Sequence, residues 1–187
     1  IIIAHDAAYS ELAFDGTKPI SFLQLPGAKE AGVEFHSVSK TYQMTGWRVG
    51  WVCGNATVIA ALNQLKTNLD SGIFQPLQFA AIEALQGDQQ PLAEAVATYQ
   101  QRRDLVVEGL AKSGWAIPKP SATIYLWSPV PGGGSSMAFA KRVLEEARVV
   151  ITPGSGFGES GEGFVRMSLT VPTPRLQEAV DRLRKVL

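Results

Sequence analysis

Apolar positions along the 187-residue chain fall into two kinds of run. Short β-branched stretches at Ile1–Ala4, Val33–Ser37 and Trp47–Cys53 read as strands. The first reads as buried, with polar residues where it stops at His5 and Asp6. Between the first two, Glu11–Gly32 carries Gly16, Pro19, Pro26 and Gly27 and predicts loop with short irregular pieces. Helical spacing takes over after Gly54. Asn55 is placed to cap a helix with Val58, Ile59, Leu62 and Leu65 on one face. Pro76 and Gly87 bracket a second helix. Leu92, Val96, Tyr99, Val106 and Leu110 give an apolar face to a long helix from about Asp88 to Ser113, which Gly114 ends. Beyond it, Trp115–Ile117, Thr123–Trp127, Val149–Thr152 and Phe164–Leu169 read as strands, with a helix over Ser136–Ala147 and a last helix from Pro174. Pro131–Ser136 reads as a flexible loop. The pattern predicts an α/β domain over 1–100 and a smaller α+β domain over 101–187, hinged on the long helix.

Composition narrows the function classes. Hydrophobic residues make up 45% and charged residues 18%, which suits a globular chain and excludes a disordered one. Seventeen basic residues balance seventeen acidic ones, so neither nucleic acid nor an anionic membrane is an expected partner. No apolar stretch approaches the roughly 18–20 residues that span a bilayer. Ile1-Ile2-Ile3 is too short for a signal peptide and has no basic lead-in. The single Cys53 excludes an internal disulfide and reads as a small core residue, and no Cys/His cluster suits a metal. A reducing, cytoplasmic setting is expected. The chain opens directly on a strand-like run and reads as a piece of something longer.

Three clusters can carry chemistry. His36 to Gly50 reads HSVSKTYQMTGWRVG and sets Lys40 in a turn rich in hydroxyls, eight residues before Arg48 in a strand start. A lysine desolvated in such a turn can attack a carbonyl, and hydroxyls beside an arginine make a phosphate cradle. A solvated surface lysine is the plainer alternative. In HDAAYSEL, Asp6 lies at the carboxyl end of a strand and Tyr9 three residues on, where open α/β sheets bind ligands. Asp6 there can hold a ring nitrogen protonated and Tyr9 can bond a ring oxygen; the alternative is an aspartate capping a turn and a tyrosine packed on the sheet. Arg166 stands inside the apolar run Gly163–Ser168, so it must be paired, face a polar cavity or lie on an edge strand. A substrate carboxylate would satisfy it. Tyr125 is either pocket lining or core, Pro153–Gly158 a glycine turn, and His5 and His36 flank the motifs without forming a ligand set.

Taken together these residues resemble the class I and II aminotransferases, pyridoxal 5'-phosphate enzymes of the aspartate aminotransferase fold. The lysine signature stands here as Ser37-Val38-Ser39-Lys40 and Gly46-Trp47-Arg48-Val49-Gly50, the Asp-x-x-Tyr as Asp6-Ala7-Ala8-Tyr9, and the C-terminal arginine as Arg166. The resemblance covers the whole chain and about the second half of a family member. It implies the C-terminal part of the large cofactor-binding domain followed by the small domain. It assigns Lys40 to the Schiff base and to proton transfer at the substrate α-carbon, and Asp6 to the pyridine nitrogen. Tyr9 falls to the ring hydroxyl, Ser37 and Arg48 to the phosphate with Ser39 as a further candidate, and Arg166 to the α-carboxylate, with Tyr125 beside the substrate. It implies amino-acid and 2-oxo-acid substrates and a homodimer when full length. HDAAYSEL with FDG, and SKTYQMTGWRVGW with GN and NLDSG, look most like the members that serve diaminopimelate and lysine biosynthesis. Alternatives on the same fold are a carbon–sulfur lyase, a non-catalytic regulatory domain and an inert fragment. Family members carry further cofactor contacts in their first half, so the 187 residues alone are expected to bind cofactor weakly and to transaminate nothing detectable.

Overall fold

A computed structural model describes residues 1–187. The chain divides into two compact units, Ile1–Val96 and Ala97–Leu187.

The first unit is built on a three-stranded sheet of β1 (Ile3–Asp6), β2 (Gly32–Ser37) and β3 (Gly50–Gly54), in the order β1-β2-β3. Single helical turns, α1 (Ala28–Ala31) and α2 (Val38–Thr41), precede and follow β2. β1 and β2 run parallel with His5 opposite Glu34, and β2 and β3 antiparallel with His36 opposite Trp51. Contrary to the expectation from composition, the isoleucine run is not buried: β1 pairs on one side only, and Ile1 to Ile3 are exposed. The third strand starts later than expected. Thr45–Trp47 forms a 3-10 turn and Arg48 takes a left-handed backbone, which breaks any ladder before Gly50. Asn55 caps α3 (Ala56–Leu69) as expected, its side-chain oxygen accepting from the Val58 N–H at 3.0 Å. Pro76 lies in the first turn of α4 (Gln75–Gln86), and Gly87 closes it. Both helices leave large apolar side chains exposed, among them Leu69 and Phe79, as does Phe74 just ahead of α4.

Strand alternation puts His5, Glu34, His36, Trp51 and Cys53 on one face of this sheet. Glu34 is only 1% exposed, and the turn at Ser21 and Phe22 supplies donors over it. Its carboxylate accepts from the Phe22 N–H at 2.6 Å, from Ser21 Oγ at 3.0 Å and from His5 Nδ1 at 3.0 Å. His36 Nε2 stands 2.8 Å from the second oxygen, its ring stacked on Trp51. Burial pushes the Glu34 carboxyl up, but the bonds from His5, Ser21 and the Phe22 N–H, with the His36 charge, outweigh it and hold it below the ordinary glutamate value. Burial, and then the same carboxylate's charge, push the Cys53 thiol up, which suits an unreactive packing residue.

α5 (Gln90–Ala111) runs across the boundary between the units. The second unit adds β4 (Tyr125–Pro129), α6 (Ser136–Arg142), β5 (Thr152–Pro153), β6 (Phe164–Ser168) and α7 (Thr173–Leu183), with an antiparallel sheet in the order β4-β6-β5. Leu126 and Val165 point into a core with Val106 and Leu110 of α5, Phe139 of α6 and Leu176, Val180 and Leu183 of α7. Each such fully buried side chain contributes about 1.5–3 kcal/mol.

Three expected strands change. Trp115–Ile117 is irregular: the buried Trp115 indole donates to Ser128 Oγ at 2.8 Å, and Pro118 and Pro120 lack the N–H a ladder needs. The segment is tied instead through the Pro120 carbonyl, which accepts from the buried Arg103 at 2.9 Å. Thr123 has a left-handed backbone, so β4 begins at Tyr125. Val149–Ile151 stays outside the sheet, because the edge pairing is confined to Thr152 and the donor-less Pro153. The Pro131–Ser136 segment is more than loose loop. Ser135 caps α6, and the buried Ser136 donates from its N–H and its hydroxyl to Glu162, both at 2.8 Å. α6 continues as a π-helical turn over Val143–Ala147, which completes the expected helix.

The Gly-rich turn after β5 contains a close backbone approach. A Cβ on Gly154 would press on the Gly161 carbonyl oxygen and lie 2.6 Å from that of Phe164, whereas one on Gly156 meets nothing within 4 Å. Gly154→Ala is therefore expected to lower stability by roughly 1–3 kcal/mol and Gly156→Ala to leave it nearly unchanged, as read from denaturant midpoints. For Glu34 the folded pKa lies below the unfolded one. Its stabilisation is thus present above the ordinary value near 4.5 and lost as pH falls through the lower folded value. Melting between pH 7 and 3 should show wild type and Glu34→Gln converging as the solution is acidified.

Candidate active site

The stretch around Lys40 is fixed by what flanks it. β2 ends at Ser37, whose hydroxyl accepts from the Ser39 N–H at 3.1 Å and donates to the Val49 carbonyl at 3.5 Å. Val38, fully buried, drives the start of α2 into a small core with Val49 of the following loop and Ala81 of α4. Thr45 Oγ1 donates to the Ser39 carbonyl at 2.9 Å and closes the loop from the other side. Lys40, two residues beyond the buried anchor, is left half-buried with Nζ 5.9 Å from the centre of the Tyr9 ring.

Asp6 and Tyr9 reach the same region from β1. The Ala7 N–H donates to the Phe35 carbonyl at 2.9 Å, extending the parallel ladder one residue past Asp6. The chain then turns, with the Asp6 carboxylate accepting from the Ala8 N–H at 3.3 Å, before Leu12 and Phe14 plunge into the interior. Asp6 thus does cap its turn, and its side chain is nevertheless exposed at the carboxyl end of a strand. The register sets Asp6 opposite Phe35, two residues before Ser37. The two parallel strands therefore deliver a carboxylate, a phenol, a hydroxyl and an amine to one end of the sheet.

Arg48 follows the Thr45–Trp47 turn with φ 57° and ψ 45°, a backbone that non-glycine residues adopt at a cost of roughly 1 kcal/mol. One guanidinium N–H donates to the Thr45 carbonyl at 2.9 Å, and the side chain is otherwise exposed. Ser39 is buried beneath the loop, whereas Ser37 is half-exposed.

Arg166 and Tyr125 belong to the second unit. β6 is the central strand of its sheet, which sets aside an edge-strand arginine. Alternation puts Leu126, Ser128, Val165 and Met167 in the core and Tyr125, Trp127, Phe164 and Arg166 on the opposite face. There the Arg166 guanidinium lies 4.3 Å from the Tyr125 ring centre and 4.4 Å from that of Phe157. Trp127 packs against Phe157 and stacks on Phe164. Tyr125 is half-exposed against the arginine and is not core.

Two participants escape a reading of the sequence alone. Phe157 lies in the turn read as glycine punctuation. Glu34 carries the same signal that singles out Arg166, a charged side chain inside an apolar strand, and that signal finds it once applied to acids as well as bases.

Known proteins bear on this arrangement. The profile of the aminotransferase class I and II family matches residues 1–183. The LL-diaminopimelate aminotransferase of Moorella thermoacetica is 57% identical over 187 residues, all of this chain and 48% of the relative. That of Desulforudis audaxviator is 58% identical with the same coverage. The structure of a probable N-succinyldiaminopimelate aminotransferase from Thermus thermophilus superposes with a TM-score of 0.92 at 34% identity, over all of this chain and 50% of that one. The chain spans about half the length of the curated relatives it matches. With the signature lysine, aspartate, tyrosine and arginine at one end of a matching sheet, and the match running from the first residue to the last helix, the chain belongs to the pyridoxal phosphate-dependent class I and II aminotransferases.

Proposed function

We propose that this chain is the second half of an aminotransferase that moves an amino group between an amino acid and a 2-oxo acid, and that the whole protein acts in the formation of LL-diaminopimelate. The observation that carries the reading is the convergence of Lys40, Asp6, Tyr9, Ser37 and Arg48 at the carboxyl ends of β1 and β2. The substrate assignment is supported by relatives of that name at 57% and 58% identity.

The donor set fits pyridoxal 5'-phosphate. A ring nitrogen calls for a carboxylate, a phenolic oxygen for a donor such as the Tyr9 hydroxyl, an aldehyde for a primary amine, and a phosphate for hydroxyls and a guanidinium. When bound, the cofactor supplies an electron sink for charge that develops at the substrate α-carbon. The protein's residues do the rest. Lys40 would hold the cofactor through its amine and would move a proton at the substrate α-carbon, and Val38 anchors the turn that carries it. The exposed carboxylate of Asp6 would keep a proton on the ring nitrogen. Arg48, with most of its donors free of the protein, takes the phosphate with Ser37, and buried Ser39 supports the turn. Arg166 grips the substrate α-carboxylate with its planar fork, and Tyr125 orients that fork. The family resemblance supports a homodimer in the cytoplasm for the whole protein. No helix of this chain is long and apolar enough to cross a membrane.

Covalent trapping tests the reading. In the whole protein, borohydride reduction in the presence of pyridoxal phosphate, followed by peptide mapping, should label Lys40 ahead of the other lysines, and Lys40→Ala should lose that label. Preferential labelling of another lysine would refute the assignment. For substrate binding, Arg166→Lys in the whole protein should lower transamination efficiency by roughly tenfold to several-thousandfold, the equivalent of about 2–5 kcal/mol. Trapping at Lys40 should survive that change. An unchanged efficiency would remove Arg166 from the carboxylate site.

A further inference from the structure

Glu34 is a buried carboxylate to which the reading above gives no task. Its side chain is held at once by both parallel strands and by the turn above them. Across the β1–β2 register it faces His5, whose Nδ1 lies 3.0 Å away, and along its own strand it reaches His36, whose Nε2 lies 2.8 Å away. An ionised carboxylate only accepts, so His5 presents Nδ1 as an N–H donor. Ser21 Oγ donates to both oxygens at 3.0 Å, and the Phe22 N–H to one at 2.6 Å. The two histidines are the residues immediately before Asp6 and Ser37. The residue after Glu34, Phe35, provides the carbonyl that receives the Ala7 N–H. The carboxylate thus grips the chain one residue upstream of each of two proposed cofactor contacts, and its neighbour holds the backbone just past the first.

We infer that Glu34 is a positioning residue: bridging His5 and His36 on one face of the sheet, it fixes the carboxyl ends of β1 and β2 so that Asp6 and the Ser37–Lys40 turn keep the spacing that cofactor binding needs. The inference rests on the aminotransferase reading, and on the principle that a binding constellation is only as exact as the bonded shell behind it. Glu34 touches no ligand in this scheme. It acts through its neighbours, and a uniform contribution to stability would not reproduce the effect.

The test uses the whole protein and hydrogen exchange, with pyridoxal phosphate titration as the second readout. In Glu34→Gln the amides of Ala7, Ala8 and Ser39 should exchange about tenfold faster, the factor carried by a hydrogen bond of this kind. The amides of Ile59 and Gly87, at the start of α3 and the end of α4, should keep their wild-type rates. Affinity for pyridoxal phosphate should fall by a similar factor. His36→Gln, which retains an N–H donor, should lie much nearer wild type than His36→Leu in both measurements. If Glu34→Gln unfolds, the two His36 variants carry the same comparison. Exchange that is unchanged, or that rises uniformly through Ile1–Val96, overturns the inference. So does a local rise that leaves the affinity untouched. A wild-type whole protein that takes up no pyridoxal phosphate at Lys40 instead sinks the functional reading, and the exchange pattern still decides whether Glu34 holds the strand ends.

Discussion

A carboxylate leaves water only where donors replace the solvent; otherwise its burial costs several kcal/mol. Glu34 meets that condition with donors drawn from β1, from β2 and from the turn that covers them. The arrangement constrains more than one side chain. Because strand side chains alternate between faces, slipping β2 by one residue would carry Glu34 to the opposite face, away from His5, Ser21 and Phe22. A slip of two would break the pairing with His5. The carboxylate therefore specifies a single stagger between the parallel strands, and that stagger decides where Asp6 ends one strand and Ser37 the other. Lys40 follows from Ser37, since the Ser37 cap and the Val38 anchor leave little freedom in the intervening turn.

What the sequence discloses of this site follows from the same distinction between local and distant partners. Lys40, Arg48, Asp6 and Tyr9 sit in contiguous stretches whose spacing is itself the signal, so the amino-acid order alone picks them out. Of the partners of Glu34 only His36 is local; Phe22, Ser21 and His5 lie 12, 13 and 29 residues away in sequence, and no local pattern announces them. The same holds for the elements. Helices with a cap and a stop inside the segment, such as Asn55 before α3 and Pro76 and Gly87 around α4, appear where periodicity puts them. Trp115–Ile117 has strand composition but hydrogen-bonds through its indole and sits just before two prolines. Thr123 and Arg48 take left-handed backbones that their residue types do not advertise. The isoleucines at the start have the composition of a buried strand, and composition cannot say that β1 pairs on one side only.

The second unit shows how one physical rule separates two arginines. Both Arg103 and Arg166 lie within regular elements, where an unpaired charge would be costly. Arg103 is fully buried and uses its donors on the protein: Nε bonds the Asp104 carboxylate at 2.9 Å and a terminal nitrogen bonds the Pro120 carbonyl at 2.9 Å. Burial alone pushes the Asp104 carboxyl up, but the bonds and charges of Arg103 and Lys119 outweigh it and hold it below the ordinary aspartate value. This arginine ties the Trp115–Pro120 segment to α5, and its chemistry is complete. Arg166 is stabilised by a different kind of contact. The faces of Tyr125 and Phe157 attract the cation through their quadrupoles and restrict the plane of the guanidinium, and neither contact uses an N–H. The result is a charge that is ordered, partly desolvated and still able to donate in its own plane. A planar two-oxygen acceptor is the complement of such a fork, which is why the proposed carboxylate grip falls to the arginine flanked by rings and not to the one tied to a carboxylate.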